Sequence, residues 1–290
     1  MQHSQVAGEF GNRHFVDVGQ ARVCYRKAGE GPALVLLHGF PLSGLTWRKV
    51  VPELSKRFTC YAFDLVGLGD STSRDAADFS SQGQAAVLQR ALGAEGVSRY
   101  ALIGNDTGGW IARELALLEP ERVTHLALMN TEMPGHRPPW IPLYQRLARL
   151  PGSGFVLRGM LASRRVRRSA MGFGGCFEDL DLIDGEFAEQ FLSPLLSSPD
   201  RLASMVRFLV SMKLERLDRF SELHGKLSMP VAFLWGAADP TFPEKTARAM
   251  ASQFPHVAHF WSIPKGKLFV HEEQPDAVTK LVIEFLTGVA

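Results

Sequence analysis

Six short, unbroken apolar runs constrain this chain more than any other feature in it. They lie in PALVLLHG, FTCYAFD, RYALIGN, VTHLALMN, PVAFLWG and VAHFWSIP. Runs of this length without polar alternation suit strands covered on both faces, as in a parallel sheet. Helical patterns separate several of them, over Leu45 to Leu54, Ser81 to Leu92, Gly109 to Leu118, Pro243 to Phe254 and Pro275 to Phe285. Strand and helix in alternation predict right-handed crossovers and an α/β architecture with helices on both faces of a mostly parallel sheet. Ahead of these runs, HFVDVGQARVCYRKAG alternates around Gly19-Gln20 and predicts a two-stranded hairpin.

The alternation stops between Asn130 and about Leu227. Pro and Gly break that segment into helical pieces (PGHRPPWIP, LPGSG, GFGG, LSPLLSSPD). A structureless loop of that length is improbable, so the segment predicts a helical insertion over the sheet. The expected organisation is a core of 1–130 and 228–290, with a cap of 131–227 inserted after the sixth strand.

Ligands on open α/β sheets sit beyond the carboxyl ends of the strands. Three features fall there. GNDTGG carries Asp106 between Gly104 and Gly108-Gly109, where a strand meets a helix. A strained strand-to-helix turn of this kind exposes one side chain and needs small neighbours. HGFP follows ALVLL, so the Phe40 amide can join that of Thr107 as an oxyanion hole. WGAADP leaves Asp239 just past another strand.

These motifs, with DLVGLGDS and FVHEEQP, stand in an order that resembles the α/β-hydrolase fold family over essentially the whole chain. An aspartate at the elbow resembles the aspartate-nucleophile branch of haloalkane dehalogenases, epoxide hydrolases and fluoroacetate dehalogenases. The resemblance implies that Asp106 attacks saturated carbon to form an alkyl ester. A carboxylate is already anionic and needs no base for that step. A histidine oriented by an acid would then activate water against the ester. Asp239 fits the acid and ranks above Glu132, because Asn130 holds the nearer position. Taken alone, Asp106 also fits an ordinary turn or N-cap aspartate.

The histidine is where the chain departs from the family. GKLFVHEEQP, aligned on Gly266, Phe269, Glu272 and Pro275, puts Leu268 at the position of the base. His271 lies three residues later. Either the register holds and the base is absent, or the loop is rearranged and His271 serves.

The leaving group stays open between epoxide and halide. Dehalogenases usually follow the nucleophile with tryptophan, and here Thr107 follows it. Fluoroacetate dehalogenases use arginines beside the nucleophile, and here Arg113 lies further along the helix. Epoxide hydrolases use two cap tyrosines, and only Tyr144 lies in the cap. His38, Trp110, His136, Trp140 and Tyr144 are candidate substrate contacts, although His38 also suits a structural bond. Trp140 and Tyr144 would share a helix face.

A non-hydrolytic binding or tailoring protein on the same fold is the alternative function. The resemblance implies no cofactor and a small apolar partner molecule. No metal-ligand spacing or phosphate loop appears. The formal charge of +2 gives no reason to expect nucleic acid, and SRRVRRSA faces the acidic EDLDLIDGE at 178–186, which predicts local pairing. Three scattered cysteines read as reduced thiols. The polar start MQHSQVAGEFGNR, with no stretch near the ~20 apolar residues of a membrane helix, predicts a cytoplasmic monomer or homodimer without membrane contact.

Overall fold

A computed structural model describes residues 10–74 and 77–288. Nine strands form one sheet in the order β1-β2-β4-β3-β6-β7-β8-β9, with β5 paired to β2. The hairpin is β1 (His14–Val18) and β2 (Ala21–Ala28), closed at Gly19-Gln20. β2 pairs antiparallel with β4 (Thr59–Phe63). From β4 onward the neighbours β3 (Ala33–Leu37), β6 (Tyr100–Asn105), β7 (Val123–Met129), β8 (Val231–Gly236) and β9 (Val257–Ile263) run parallel. The short β5 (Thr72–Ser73) carries no apolar run, and with it the cap segment follows the seventh strand, not the sixth.

Side chains alternate through the central strands and build two cores. Leu34 and Leu36 pack with Trp47, Val282 and Phe285 on one face. Val35 and Leu37 pack with Leu88, Ile111 and Leu115 on the other. The first core is covered by α7 (Pro275–Thr287), the second by α1 (Ser81–Ala94) and α2 (Thr107–Leu118). Two expectations fail locally. Leu45 to Leu54 is not one helix but a 3-10 segment, Gly44–Lys49, followed by a single turn, Val51–Leu54. Pro52 has no N–H to donate to the carbonyl four residues back, so an α-helix cannot run through it. VAHFWSIP is not covered on both faces either, because β9 is the sheet edge and Val257 to His259 are exposed.

Between β7 and β8 the described residues form helices and turns without strands. The principal helices are α3 (Trp140–Ala148), α4 (Ser153–Ala162) and α5 (Pro199–Ser211), and α6 (Glu244–Ala251) follows β8. Arg164, Arg167 and Arg168 all bond Asp184, and Arg168 also bonds Asp181, so the basic run is tied to its acidic neighbour. Among the described residues no helix is long and apolar enough to cross a membrane.

β3 and β6 are parallel neighbours, with strand order reversing beside them, and their carboxyl ends bring His38 to Pro41 against Asp106. That approach depends on missing side chains. A Cβ on Gly108 would stand 2.4 Å from the Leu37 carbonyl oxygen and 2.5 Å from that of His38. Gly108→Ala should therefore destabilise the fold by about 2 kcal/mol or more, since backbone cannot step aside as a side chain can. Thermal unfolding would show this as a fall of several degrees.

Candidate active site

Asp106 sits at φ 51 and ψ −132, between β6 and α2. A non-glycine residue there stores roughly 1–3 kcal/mol of backbone strain, sustained only because the surroundings over-determine it. The Asp106 amide donates to the carbonyls of Met129 (3.2 Å) and Asn130 (3.0 Å). Its carbonyl accepts from the Gly109 amide at 2.8 Å and the Thr131 hydroxyl at 2.7 Å. Four bonds thus fix the backbone while the side chain is left to face a cavity.

The Phe40 amide donates to Asp106 Oδ2 at 2.8 Å, and the Thr107 amide also bonds this carboxyl. The two amides expected to form an oxyanion hole therefore converge on the Asp106 carboxyl itself. An oxygen of an ester formed on Asp106 would already lie between them, where charge develops when water adds.

The cavity measures about 270 Å³ and its lining is mostly apolar. It has room for a small molecule only. Asp106, Phe40, Thr107, Trp110, Trp140, Tyr144 and Leu268 all line it. Trp140 and Tyr144 do so from one face of α3. The Tyr144 hydroxyl is already committed to the Met171 carbonyl. The Trp110 indole N–H is buried and has no hydrogen-bond partner among the described residues.

Two candidate contacts lie elsewhere. His38 is fully buried and does not line the cavity. The Leu65 amide donates to its Nε2 (2.9 Å), so its proton sits on Nδ1 and goes to the Gly39 carbonyl (2.8 Å). It braces the two loops, and burial pushes its pKa down. His136 donates from Nε2 to the Thr241 carbonyl at 2.7 Å, which turns it away from the cavity.

His271 is also displaced from the site. It lies on the helical turn Val270–Glu273, fully buried, with its ring stacked on Trp47 at 4.7 Å. The Thr46 hydroxyl gives its proton to Glu272, so His271 must donate from Nε2 to Thr46, both bonds being 2.8 Å. Burial, then the charges of Arg48 and Lys49, push its pKa down to about 3. As an alternative base it is corrected on position. The anchors on either side of Leu268 admit no shift: the Leu268 carbonyl accepts from Asn105 Nδ2 (2.9 Å) and the Gly266 carbonyl from the Ala238 amide (2.9 Å).

Asp239 is buried at the end of the same loop system. It accepts from Asn130 Nδ2 (2.8 Å) and the Thr241 amide (2.7 Å), and burial pushes its pKa up to about 6. Asn130 also accepts from the Gly236 amide through Oδ1 (2.8 Å), so its function is to hold Asp239.

Glu132 is the residue that the sequence undervalued. It lines the cavity and is buried beside Asp106. The Thr107 hydroxyl donates to Glu132 Oε1 at 2.8 Å. Burial, then the Glu132 carboxyl, push the pKa of Asp106 well up, and burial raises that of Glu132. Two carboxyl groups so close in apolar surroundings retain a proton between them. Beneath them Arg113 is fully buried, bonded to the carbonyls of Gly109 (3.1 Å) and Glu132 (2.7 Å). The available signal was MNTE directly after the strand beside the elbow strand.

These buried carboxyls carry a stability cost with a defined sign. A raised folded-state pKa means that the native protein keeps a proton the unfolded chain has lost. Stability from this source is complete below the unfolded carboxyl pKa and is lost as pH rises through the folded value. Glu132→Gln, which is neutral without a proton, should stabilise the fold by about 1–2 kcal/mol near neutrality, with less gain at pH 4. Denaturant unfolding of both proteins across that range measures it.

Cys24, Asp64 and Asp70 also come together, with potential ligand atoms within 4.8 Å of one another, although no metal spacing marks them in the sequence. Their lone pairs are engaged. Asp64 accepts from Arg26 (3.1 Å), the Gly44 amide (2.7 Å) and the Asp70 amide (2.8 Å), and the Cys24 thiol is pushed up to about 12, first by burial.

A family model for the alpha/beta hydrolase fold matches residues 32–275. A fluoroacetate dehalogenase from a Burkholderia species is 35% identical over 122 residues, which is 41% of this chain and only 40% of that relative's length. Haloalkane dehalogenase 2 of Mycobacterium bovis is 26% identical over 280 residues, covering 95% of this chain and 94% of the relative. The solved structure of the epoxide hydrolase CorEH superposes with a TM-score of 0.77 at 22% identity, over 96% of this chain and 99% of that one. With the family match running from the strand before HGFP to the proline after FVHEEQ, this chain belongs to the α/β-hydrolase fold family.

Proposed function

We propose that this α/β-hydrolase family member uses Asp106 as a nucleophile toward a small apolar substrate with an epoxide or carbon–halogen bond. The observation that carries the reading is the Asp106 carboxyl on a strained elbow, held by two amide donors and facing an apolar cavity. Attack at saturated carbon leaves an alkyl ester on Asp106. Release of that ester requires water and a base. Leu268 lines the cavity at the family's histidine position and cannot accept a proton, so release is slow. Asp239 is the acid that would orient a base at this position. The fluoroacetate and haloalkane dehalogenase relatives support displacement at saturated carbon, and the epoxide hydrolase neighbour shares the fold.

Leu268 also favours a second reading, a ligand-binding or tailoring protein that retains the cavity without turnover. Intact-mass measurement after incubation with an alkyl bromide and with a terminal epoxide separates the two. A single adduct that maps to Asp106 and disappears in Asp106→Asn supports the nucleophile. Binding that is unchanged by Asp106→Asn, with no adduct in either protein, supports the pure binder.

A further inference from the structure

We infer that Glu132 is the proton donor that opens an epoxide as Asp106 attacks it, which makes epoxides the substrate class of this site. The inference rests on the reading of Asp106 as nucleophile. It begins with hydrogen accounting at Thr131. The Thr131 hydroxyl has one proton and two oxygen neighbours, the Asp106 carbonyl at 2.7 Å and Glu132 Oε2 at 3.1 Å. The carbonyl can only accept, and it is nearer, so it takes the proton. A hydrogen bond at 3.1 Å then requires the hydrogen to come from Glu132 Oε2. The other Glu132 oxygen accepts from Thr107. With Glu132 neutral, every hydrogen in this cluster has one acceptor, and the main-chain N–H of Glu132 also bonds its own carboxyl.

Among the described residues the Asp106 carboxyl meets donors and no acceptor that would need a proton from it. Phe40 and Thr107 aim main-chain N–H groups at its carboxyl, and such donors favour the anion. One proton on the pair, residing on Glu132, leaves one negative charge above the buried Arg113 guanidinium. That cation has no carboxylate within ion-pair distance among the described residues, and it is bonded to the Glu132 carbonyl. Asp106, Glu132 and Arg113 are then neutral as a group, a balance that a second carboxylate would upset.

The step balances without another reagent. An Asp106 carboxylate oxygen bonds to a ring carbon, and the carbon–oxygen bond of the ring breaks. The ring oxygen takes the Glu132 proton and becomes a hydroxyl. The products are a hydroxyalkyl ester on Asp106 and a carboxylate at Glu132. A halide leaves as a stable anion and has no use for this proton. The one cap tyrosine on the cavity, Tyr144, directs its hydroxyl to the Met171 carbonyl instead.

The test compares two reagents on the full chain. Styrene oxide and 1-bromobutane are each incubated with the parent, Glu132→Gln and Glu132→Asp, and the rate of Asp106 adduct formation is read by intact mass. General acid assistance is worth about a hundredfold or more. Glu132→Gln should therefore lower the ratio of epoxide to bromide rates by about that factor, with partial recovery in Glu132→Asp. The parent needs no variant to report the same donor: its epoxide rate should fall at high pH, where Glu132 ionises, while its bromide rate does not. A ratio unchanged in Glu132→Gln, or epoxide and bromide profiles that coincide in the parent, overturns the role of Glu132 and leaves Asp106 standing. Absence of any Asp106 adduct with either reagent overturns the nucleophile and this inference with it.

Discussion

Mixed with 1-bromobutane or styrene oxide and quenched in acid within a minute, the protein should gain the mass of one reagent-derived group per chain. The adduct should map to the peptide containing Asp106 and be absent from Asp106→Asn. The expectation follows from comparing two rates. Enzymes turn over at a median of about 10 per second, and loss of a general base costs about 10²–10⁴-fold. Release would then take from about ten seconds to tens of minutes. Alkylation needs no base, so the ester forms faster than it is lost and most of the protein is trapped as adduct. Leu268 lengthens the interval further, because an apolar side chain beside Asp106 withdraws the hydrogen-bond partners that a resident water needs. The first turnover should appear as a burst equal to the protein concentration, followed by a slow steady rate. Fast steady turnover with an unmodified mass throughout would sink the proposal.

The parallel sheet was legible because each central strand carries its own evidence, a continuous apolar run bounded by turn residues. The elbow was legible for a related reason: Gly104, Gly108 and Gly109 are local signals of close backbone approach. Two things were not legible. Leu45 to Leu54 has helical spacing, yet one missing N–H at Pro52 outweighs the pattern. Glu132 gave only a weak signal, its place in MNTE just after the strand beside the elbow strand. Its importance arises where the chain turns at Asn130, whose φ of 31 sends Thr131 and Glu132 back over the elbow. Two adjacent hydroxyls then determine which carboxyl carries the proton, and such a contact between separate strand ends is invisible along the chain. His271 illustrates the converse. A histidine three residues from the expected place is a reasonable base in sequence, but one turn of helix points it at Thr46 and Trp47 instead.

Leu268→His should convert the trapped protein into one that turns over, raising the steady-state rate about 10²-fold or more. The loop is already in place, with the carbonyls of Leu268 and Gly266 tied to Asn105 and Ala238. Asp239 is buried nearby, and that burial pushes its pKa up to about 6 against the lowering pull of its hydrogen bonds and of Lys267. A histidine at 268 would become a cation during water activation, and Asp239 would stabilise it. The rate of Leu268→His should therefore rise with pH as the new imidazole loses its proton, and Asp239→Asn should remove most of the gain. The double-mutant cycle should show strong coupling between the two positions, because each works only through the other. Placing an imidazole where Leu268 is buried should cost about 1–3 kcal/mol, so rates are best compared well below the melting temperature. His271→Ala is the control for the rival base. It should leave adduct formation and release within about threefold, yet lose about 2–3 kcal/mol of stability with the Trp47 stack and the Thr46 bond. If His271→Ala abolished release while Leu268→His changed nothing, the base would be His271 and the loop would have to rearrange during the reaction.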